Sequence, residues 1–274
     1  MTDAGKTADD LAALLDVAVT VAERAAALVR ARRPTGRVDV ATTKSSPTDA
    51  VTEVDTASEA LIRGLLGQVR PQDGIVGEEG ADHRGTTGVD WVVDPIDGTV
   101  NFMYGVPVYA VSIAAVRAGR TLAGVVLNVP TGERFSAVLG GGAWVTQAAG
   151  YPVRLTVPAG PPLARALVAT GFGYDADRRR AQGAAVATLL PQVRDIRRLG
   201  SAALDLCSLA AGRYDAYVEQ GLKPWDLAAG GLVVTEAGAR LGGHAGGPAG
   251  ERLVVAAGPE LFDEFAALVA SCGF

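Results

Sequence analysis

The chain has 274 residues, 49% of them hydrophobic and 20% charged, with a formal net charge of −5. That length and balance allow a large buried core in a globular protein, and an acidic total gives no electrostatic reason to expect nucleic acid or a membrane surface as the main partner. Two cysteines, Cys207 and Cys272, exclude a disulfide framework, and no stretch reaches the ~18 uninterrupted apolar residues of a membrane span.

Apolar residues recur at helical spacing over 7–32, through Leu11, Leu14, Leu15, Ala18, Val21, Ala22, Ala25, Leu28 and Val29, with Arg30 and Arg32 at the negative end of the helix dipole. Asp3, Asp9 and Asp10 stand where a signal peptide would carry positive charge, so the chain is expected to be cytoplasmic. A polar segment, 44–55, is punctuated by Pro47 and feeds a helix over 55–69 with Asp55 as its expected N-cap. Residues 74–77 form an apolar strand that runs into Glu78 and Glu79. The stretch 81–89 reads as a flexible loop, with His83 exposed and not a ligand.

Trp91, Val92 and Val93 then read as a buried strand that switches abruptly to Asp94, Pro95, Asp97, Gly98 and Thr99. Pro95 has no N–H to give and is expected to end the strand ladder, while Gly98 lets the backbone come close to a ligand. Two carboxylates three residues apart, with a hydroxyl beside them, make an oxygen-ligand cluster suited to a hard cation such as Mg²⁺. An Asp-Pro/Asp-Gly turn with a helix cap accounts for the same residues without chemistry.

Beyond this motif Val108, Ala110, Ser112, Ala114 and Val116 alternate, 122–129 is apolar, and 130–133 turns the chain back into 134–139, which predicts a run of antiparallel strands. No Gly-Lys-Ser/Thr follows Gly140, Gly141 and Gly142, so the triplet reads as a bend beside Trp144 and not as a phosphate loop. The second half predicts a strand over 165–170, a loop over 171–173, a helix over 178–190 and a helix over 202–211 that buries Cys207 as a free thiol. A strand over 213–220 would put Tyr214, Ala216 and Val218 on one face and Asp215, Tyr217 and Glu219 on the other. Pro224 opens a helix over 224–237, in which Asp226 has the plain reading of a cap. His244 lies in a Gly-rich loop without a partner, and a strand over 253–256 and a helix over 259–270 close the chain.

The full string Asp94-Pro95-Ile96-Asp97-Gly98-Thr99-Val100-Asn101-Phe102 resembles the signature of the inositol monophosphatase family, Mg²⁺-dependent and lithium-sensitive sugar-phosphate phosphatases. Further segments match in the family's order: Thr48-Asp49 with Val51-Thr52 and Asp55, Gly77-Glu78-Glu79, Gly200-Ser201-Ala202 with Glu219, and Trp225-Asp226 followed by Ala228 and Gly230. Bacterial members resemble it most. The resemblance implies one domain over 1–274 with the α+β sugar-phosphatase fold, a layered α-β-α-β-α sandwich with two halves, about 1–150 and 151–274. It also implies two to three Mg²⁺ ions: one on Glu78, Asp94 and the Ile96 carbonyl, one on Asp94, Asp97 and Asp226, and a weaker third leaning on Glu78. Thr99, polarised by Asp55, would orient the attacking water, with Glu78 completing the catalytic set. Asp97, Gly98, Thr99, Gly200, Ser201, Ala202, Glu219 and Asp226 would hold the substrate, with Arg197 (or its neighbour Arg198) on its anionic side.

The implied reaction is hydrolysis of a sugar or polyol phosphate monoester, myo-inositol 1-phosphate first among them, by a homodimer. Histidinol phosphatase, fructose-1,6-bisphosphatase and nucleotide 3′-phosphatase activities share the metal core and stand as alternatives. So does a regulatory role as a partner of the transcription machinery.

Overall fold

The computed structural model describes residues 3–44, 46 and 49–274; Ser45, Pro47 and Thr48 of the polar segment lie outside them. Helix α1 (Asp3–Arg32) buries Leu14, Ala18, Val21, Ala22, Ala25 and Val29 along one face. The short strands β1 (Thr42–Thr43) and β2 (Ala50–Val51) pair antiparallel and lead into α2 (Glu53–Val69). The N-cap of α2 is Thr52 and not Asp55. Asp55 stands three residues further on and closes a capping box, accepting from the Thr52 backbone N–H at 3.0 Å. A Thr with an acid three residues later satisfies two helix-end donors at once, which is why the helix starts earlier than a lone Asp would suggest.

The first sheet has the order β3 (Gly74–Gly77), β4 (Val89–Asp97), β5 (Ala110–Arg117), β6 (Arg120–Asn128), β7 (Arg134–Val138), β8 (Gly142–Thr146) and β9 (Val153–Arg154). Strand β3 runs parallel to β4, and the other neighbours are antiparallel. The stretch after β3 is pinned rather than loose. His83, itself exposed, bridges Ile75, and buried Asp73 accepts from Thr87 at 2.6 Å and from the Trp91 indole at 3.0 Å. The glycine triplet has its own occupant: Gly140 and Gly142 donate their N–H groups to the two oxygens of Glu236 at 2.7 and 2.9 Å.

Pro95 does not end the ladder. Strand β4 continues to Asp97, and its register with β5 shifts between Asp94, which faces Ser112, and Asp97, which faces Ala110. Three steps along β4 therefore match two along β5, a bulge of one residue in which a missing N–H costs nothing. The bulge also changes the parity of the strand. Val89, Trp91, Val93 and then Ile96 pack toward α1 and α2, so Asp94 and Asp97, an odd number of residues apart, come to the same side. Helix α3 (Thr99–Tyr104) follows directly.

The second sheet is built from β10 (Leu167–Thr170), β11 (Asp195–Arg197), β12 (Ala216–Glu219), β13 (Arg240–Gly242) and β14 (Val254–Ala257), in the order β11-β10-β12-β14-β13. The first three of that order are parallel and the last two pairings antiparallel. Helices α4 (Ala176–Leu189), α5 (Ala202–Ala210), α6 (Pro224–Glu236) and α7 (Phe262–Cys272) complete an α+β layered arrangement. One core lies between α1, α2 and the first sheet, and a second joins both sheets through α5 and α6. A third packs α4 and α7 on the outer face of the second sheet.

On β5, Ala110 and Ala114 enter the middle core while Val111, Ile113 and Ala115 enter the first. On β12, Ala216 and Val218 face α4 and α7 while Tyr217 faces inward. Tyr214 precedes the strand, so alternation does not hold there, and it packs in the middle core instead of beside Ala216. His244 is not solitary: Arg252 Nη2 lies 3.1 Å from its Nε2.

Candidate active site

A cavity of about 530 Å³ opens where the two sheets and the N-terminal ends of α5 and α6 meet. Asp94, Asp97 and Asp226 offer carboxylate oxygens within 4.8 Å of one another at its base. Three elements bring them together. The β4 bulge supplies Asp94 and Asp97. Ser112, the β5 residue opposite Asp94, donates its hydroxyl to the Trp225 carbonyl at 3.2 Å and draws in the start of α6 with Asp226. The start of α5 closes on Asp97, whose Oδ2 accepts from the Ser201 hydroxyl at 2.6 Å and the Ala203 N–H at 2.8 Å.

Asp226 is indeed part of a capping box, accepting from Lys223 N at 2.7 Å, but the N-cap is Lys223. That bond occupies Oδ2. The capping and metal-ligand readings are therefore compatible.

Burial pushes the Asp94 carboxyl well up, and the charges of Glu78, Asp97 and Asp226 add to it. Burial and then Asp97 do the same to Asp226. Asp97 is pushed up to about 6, burial outweighing its bonds from Ser201 and Ala203. Such a cluster strains against its own charge unless a cation joins it, and its donors are all oxygen. The residues present thus fit a hard divalent ion.

Asp55 and Thr99 meet as the resemblance implied. The Thr99 hydroxyl donates to Asp55 Oδ1 at 3.0 Å and lies 3.1 Å from the Ile96 carbonyl. The other oxygen of Asp55 accepts from both the backbone N–H and the hydroxyl of Thr52. Gly98, at φ +100°, leads into α3, and a Cβ there would come within 3.0 Å of the Val108 carbonyl and 3.1 Å of that of Gly200. Asn101 ties the same walls together, donating to the carbonyls of Val108 and Leu199, each at 2.7 Å.

Glu78, Asp94, Ile96, Asp97, Gly98, Thr99, Gly200, Ser201, Ala202, Glu219 and Asp226 all line the cavity. Arg197 does not: its guanidinium is exposed and paired with Asp195 at 2.6 Å. Its neighbour Arg198 lines the cavity instead, 5.9 Å from the Phe172 ring centroid. Arg197, the last residue of β11, shares a side with Asp195 two residues back, and Arg198 follows just beyond the strand.

Lys44, Tyr174, Arg178, Lys223 and Glu251 also line the cavity without having been singled out. Lys44 Nζ sits 2.7 Å from both Glu78 and Glu79, and Lys223 pairs with Glu251 at 2.6 Å. Lys44 had a signal, a cation opening the polar segment ahead of Asp49. Arg178 and Glu251 lie on a helix and a loop that carry no motif.

The inositol monophosphatase family model matches residues 10–273. The inositol-1-monophosphatase of Mycobacterium bovis is 49% identical over 271 residues, covering 93% of this chain and 93% of its own. A Nus factor SuhB of Pasteurella multocida is 39% identical over 265 residues, covering 94% and 96%. The solved structure of Mycobacterium tuberculosis SuhB has a TM-score of 0.81 at 46% identity, over 95% of this chain and 97% of that one.

Proposed function

The chain belongs to the inositol monophosphatase family, and from that premise we propose that it hydrolyses a polyol phosphate monoester, myo-inositol 1-phosphate above all, with Mg²⁺. Membership makes it a metal-dependent phosphoric monoester hydrolase. The observation that carries the finer reading is the Asp94–Asp97–Asp226 cluster, its first two members buried and Asp226 half-buried, which shares one cavity with Glu219, Arg178 and Arg198. Acids at one end suit cations that bind a phosphate. The half-buried Glu219 carboxylate in the same cavity suits hydroxyls, which a polyol offers and a plain alkyl group lacks.

Asp94, Asp97 and Asp226, with Glu78 and the Ile96 carbonyl, would hold two to three Mg²⁺ ions. Ions bound there neutralise phosphate charge and make water a better nucleophile. Thr99, giving its proton to Asp55, keeps lone pairs free to accept a hydrogen from the attacking water and so aims it. Gly98 and Thr99 would offer backbone N–H groups to the phosphate, and Ser201 and Ala203 keep Asp97 in place. Arg198 would face the anionic side of the ester, the role expected of Arg197. We also expect a cytoplasmic homodimer, inhibited by Li⁺, with no part for a membrane; among the described residues no helix is long and apolar enough to cross one.

The test is a substrate panel: myo-inositol 1-phosphate, histidinol phosphate, fructose 1,6-bisphosphate and a nucleotide 3′-phosphate, each with Mg²⁺, with Mg²⁺ and Li⁺, and after chelation. The expected result is turnover that needs Mg²⁺ and is highest for the inositol ester. Full turnover after exhaustive chelation would remove the metal mechanism, and a tenfold preference for another ester would replace the substrate. A second reading, partnership with the transcription machinery, is favoured by the relative named as a Nus factor. A metal-site variant without turnover that still supports the cellular phenotype would establish it.

A further inference from the structure

Glu219 is held from behind by groups that stand outside the acid cluster. Tyr217, fully buried on β12 and absent from the cavity lining, donates its hydroxyl to Glu219 Oε2 at 2.6 Å. The two residues are neighbours on the inward face of one strand, so the phenol reaches along the strand to the carboxylate. From the other side comes Gly171. The parallel register sets Ala169 beside Tyr217 and Thr170 beside Val218, which brings the next residue, Gly171, against Glu219. A Cβ at position 171 would fall 2.1 Å from Glu219 Oε1, 2.2 Å from Oε2 and 2.3 Å from Cδ. The carboxylate thus occupies the space that any other residue would fill. Buried Gln182 locks this wall: its carbonyl accepts from Gly173 N–H at 3.0 Å, and its amide donates to the Gln220 carbonyl at 3.3 Å.

We propose that Tyr217 is a specificity-positioning residue, which with Gly171 holds the Glu219 carboxylate in one orientation and leaves Oε1 for a substrate hydroxyl. This rests on the reading of Glu219 as the acceptor of polyol hydroxyls. A free carboxyl turns easily about its last torsion, and a hydroxyl ligand would have to order it on binding. A hydrogen bond from a buried phenol to a carboxylate is a strong one and does that ordering in advance. Tyr217, which bonds Glu219 and does not line the cavity, therefore acts on the discrimination between esters through that carboxylate. The rival role is purely structural, a buried Tyr that needs an acceptor; it predicts losses that do not depend on the ester.

Tyr217→Phe and Gly171→Ala separate the two. Tyr217→Phe keeps the ring and removes the hydroxyl, and Gly171→Ala keeps the hydroxyl and displaces the carboxylate. For each, and for the wild type, kcat and KM are measured on myo-inositol 1-phosphate and on p-nitrophenyl phosphate, and a crystal structure of Tyr217→Phe locates Glu219. In both variants kcat/KM for the inositol ester should fall about tenfold, mainly through KM, with p-nitrophenyl phosphate within about twofold of wild type. In the crystal the carboxylate should leave Gly171. Equal losses on both esters, an unchanged ratio, or a carboxylate still in place would overturn the proposal.

If Tyr217→Phe does not fold, Gly171→Ala carries the kinetic test alone. A wild type with no preference for the polyol ester would defeat the substrate reading, and the position of Glu219 in the variant crystal would still decide whether Tyr217 positions it.

Discussion

Asp55→Asn separates two jobs that one carboxylate performs. Oδ2 completes the capping box of α2 by accepting from Thr52, and Oδ1 accepts from the Thr99 hydroxyl at 3.0 Å. In the variant the amide oxygen stays with Thr52, because that N–H needs an acceptor, and the amide nitrogen is left facing Thr99. The cap survives, so the stability cost is at most ~1 kcal/mol. Thr99 now meets a donor where it had an acceptor. Its proton turns to the Ile96 carbonyl, 3.1 Å away, and a lone pair intended for the water is spent on the amide.

A positioned proton acceptor contributes ~10²–10⁴-fold, so kcat should fall by that much, or about 3–5 kcal/mol of transition-state stabilisation. Thr99→Ala should lose a similar amount, and the double variant little more, because the two act as one unit. Thr52→Ala is the counterweight: it removes the cap and the hydroxyl's bond to Asp55 Oδ2 but leaves the backbone N–H of residue 52 on that oxygen and Oδ1 with Thr99, so it should cost ~1 kcal/mol of stability with kcat nearly intact. Urea denaturation and steady-state kinetics at saturating Mg²⁺ on the four variants and the wild type make the comparison. Wild-type turnover by Asp55→Asn, losses that multiply in the double variant, or a Thr52→Ala as slow as Asp55→Asn would each refute the pairing.

Asp226→Asn keeps a carbonyl for Lys223 N–H and removes a charge that burial and Asp97 disfavour. The melting temperature without metal should hold or rise, its increase on adding Mg²⁺ should vanish, and kcat should drop more than ~10²-fold; near-normal turnover would return the residue to a capping role. Glu219 is pushed by burial from 4.5 up to about 7, so KM for the polyol ester should improve as pH rises through 7, and in Glu219→Gln that trend should be flat. Stability carries the opposite sign. A carboxyl whose folded pKa is raised holds its proton more tightly folded than unfolded, so it destabilises the fold progressively from about pH 4.5 to 7. Glu219→Gln should gain relative to wild type over that window, by at most ~3 kcal/mol; identical pH profiles for the two proteins in denaturant melts would contradict the buried carboxyl.

Much of this protein is written locally. Helical periodicity marked α1, and period-two spacing marked the Ala110–Ser112–Ala114 face of β5, because each pattern reports on one face of one element against one core. The Asp94-to-Phe102 string and its companions pointed to the family without any contact being known. What the chain alone left open were choices that depend on a second element. Pro95 reads as a strand end, and only pairing with β5 converts it into the bulge that turns Asp94 and Asp97 to one side. Asp55 reads as a cap or as the partner of Thr99 and Asp226 as a cap or a ligand, and a carboxylate with two oxygens need not choose, since Thr99 meets the free oxygen of the first and Asp94 and Asp97 lie close around the second. Arg197 and Arg198 are equivalent in sequence, and the end of β11 gave the first to Asp195 and the second, just past the strand, to the cavity. Alternation put Tyr217 on the face of Glu219 but gave it no role. Its importance lies in an oxygen two residues away and in the empty side chain of Gly171, 46 positions earlier on the neighbouring strand's exit, and such a meeting exists only once parallel pairing has set the register.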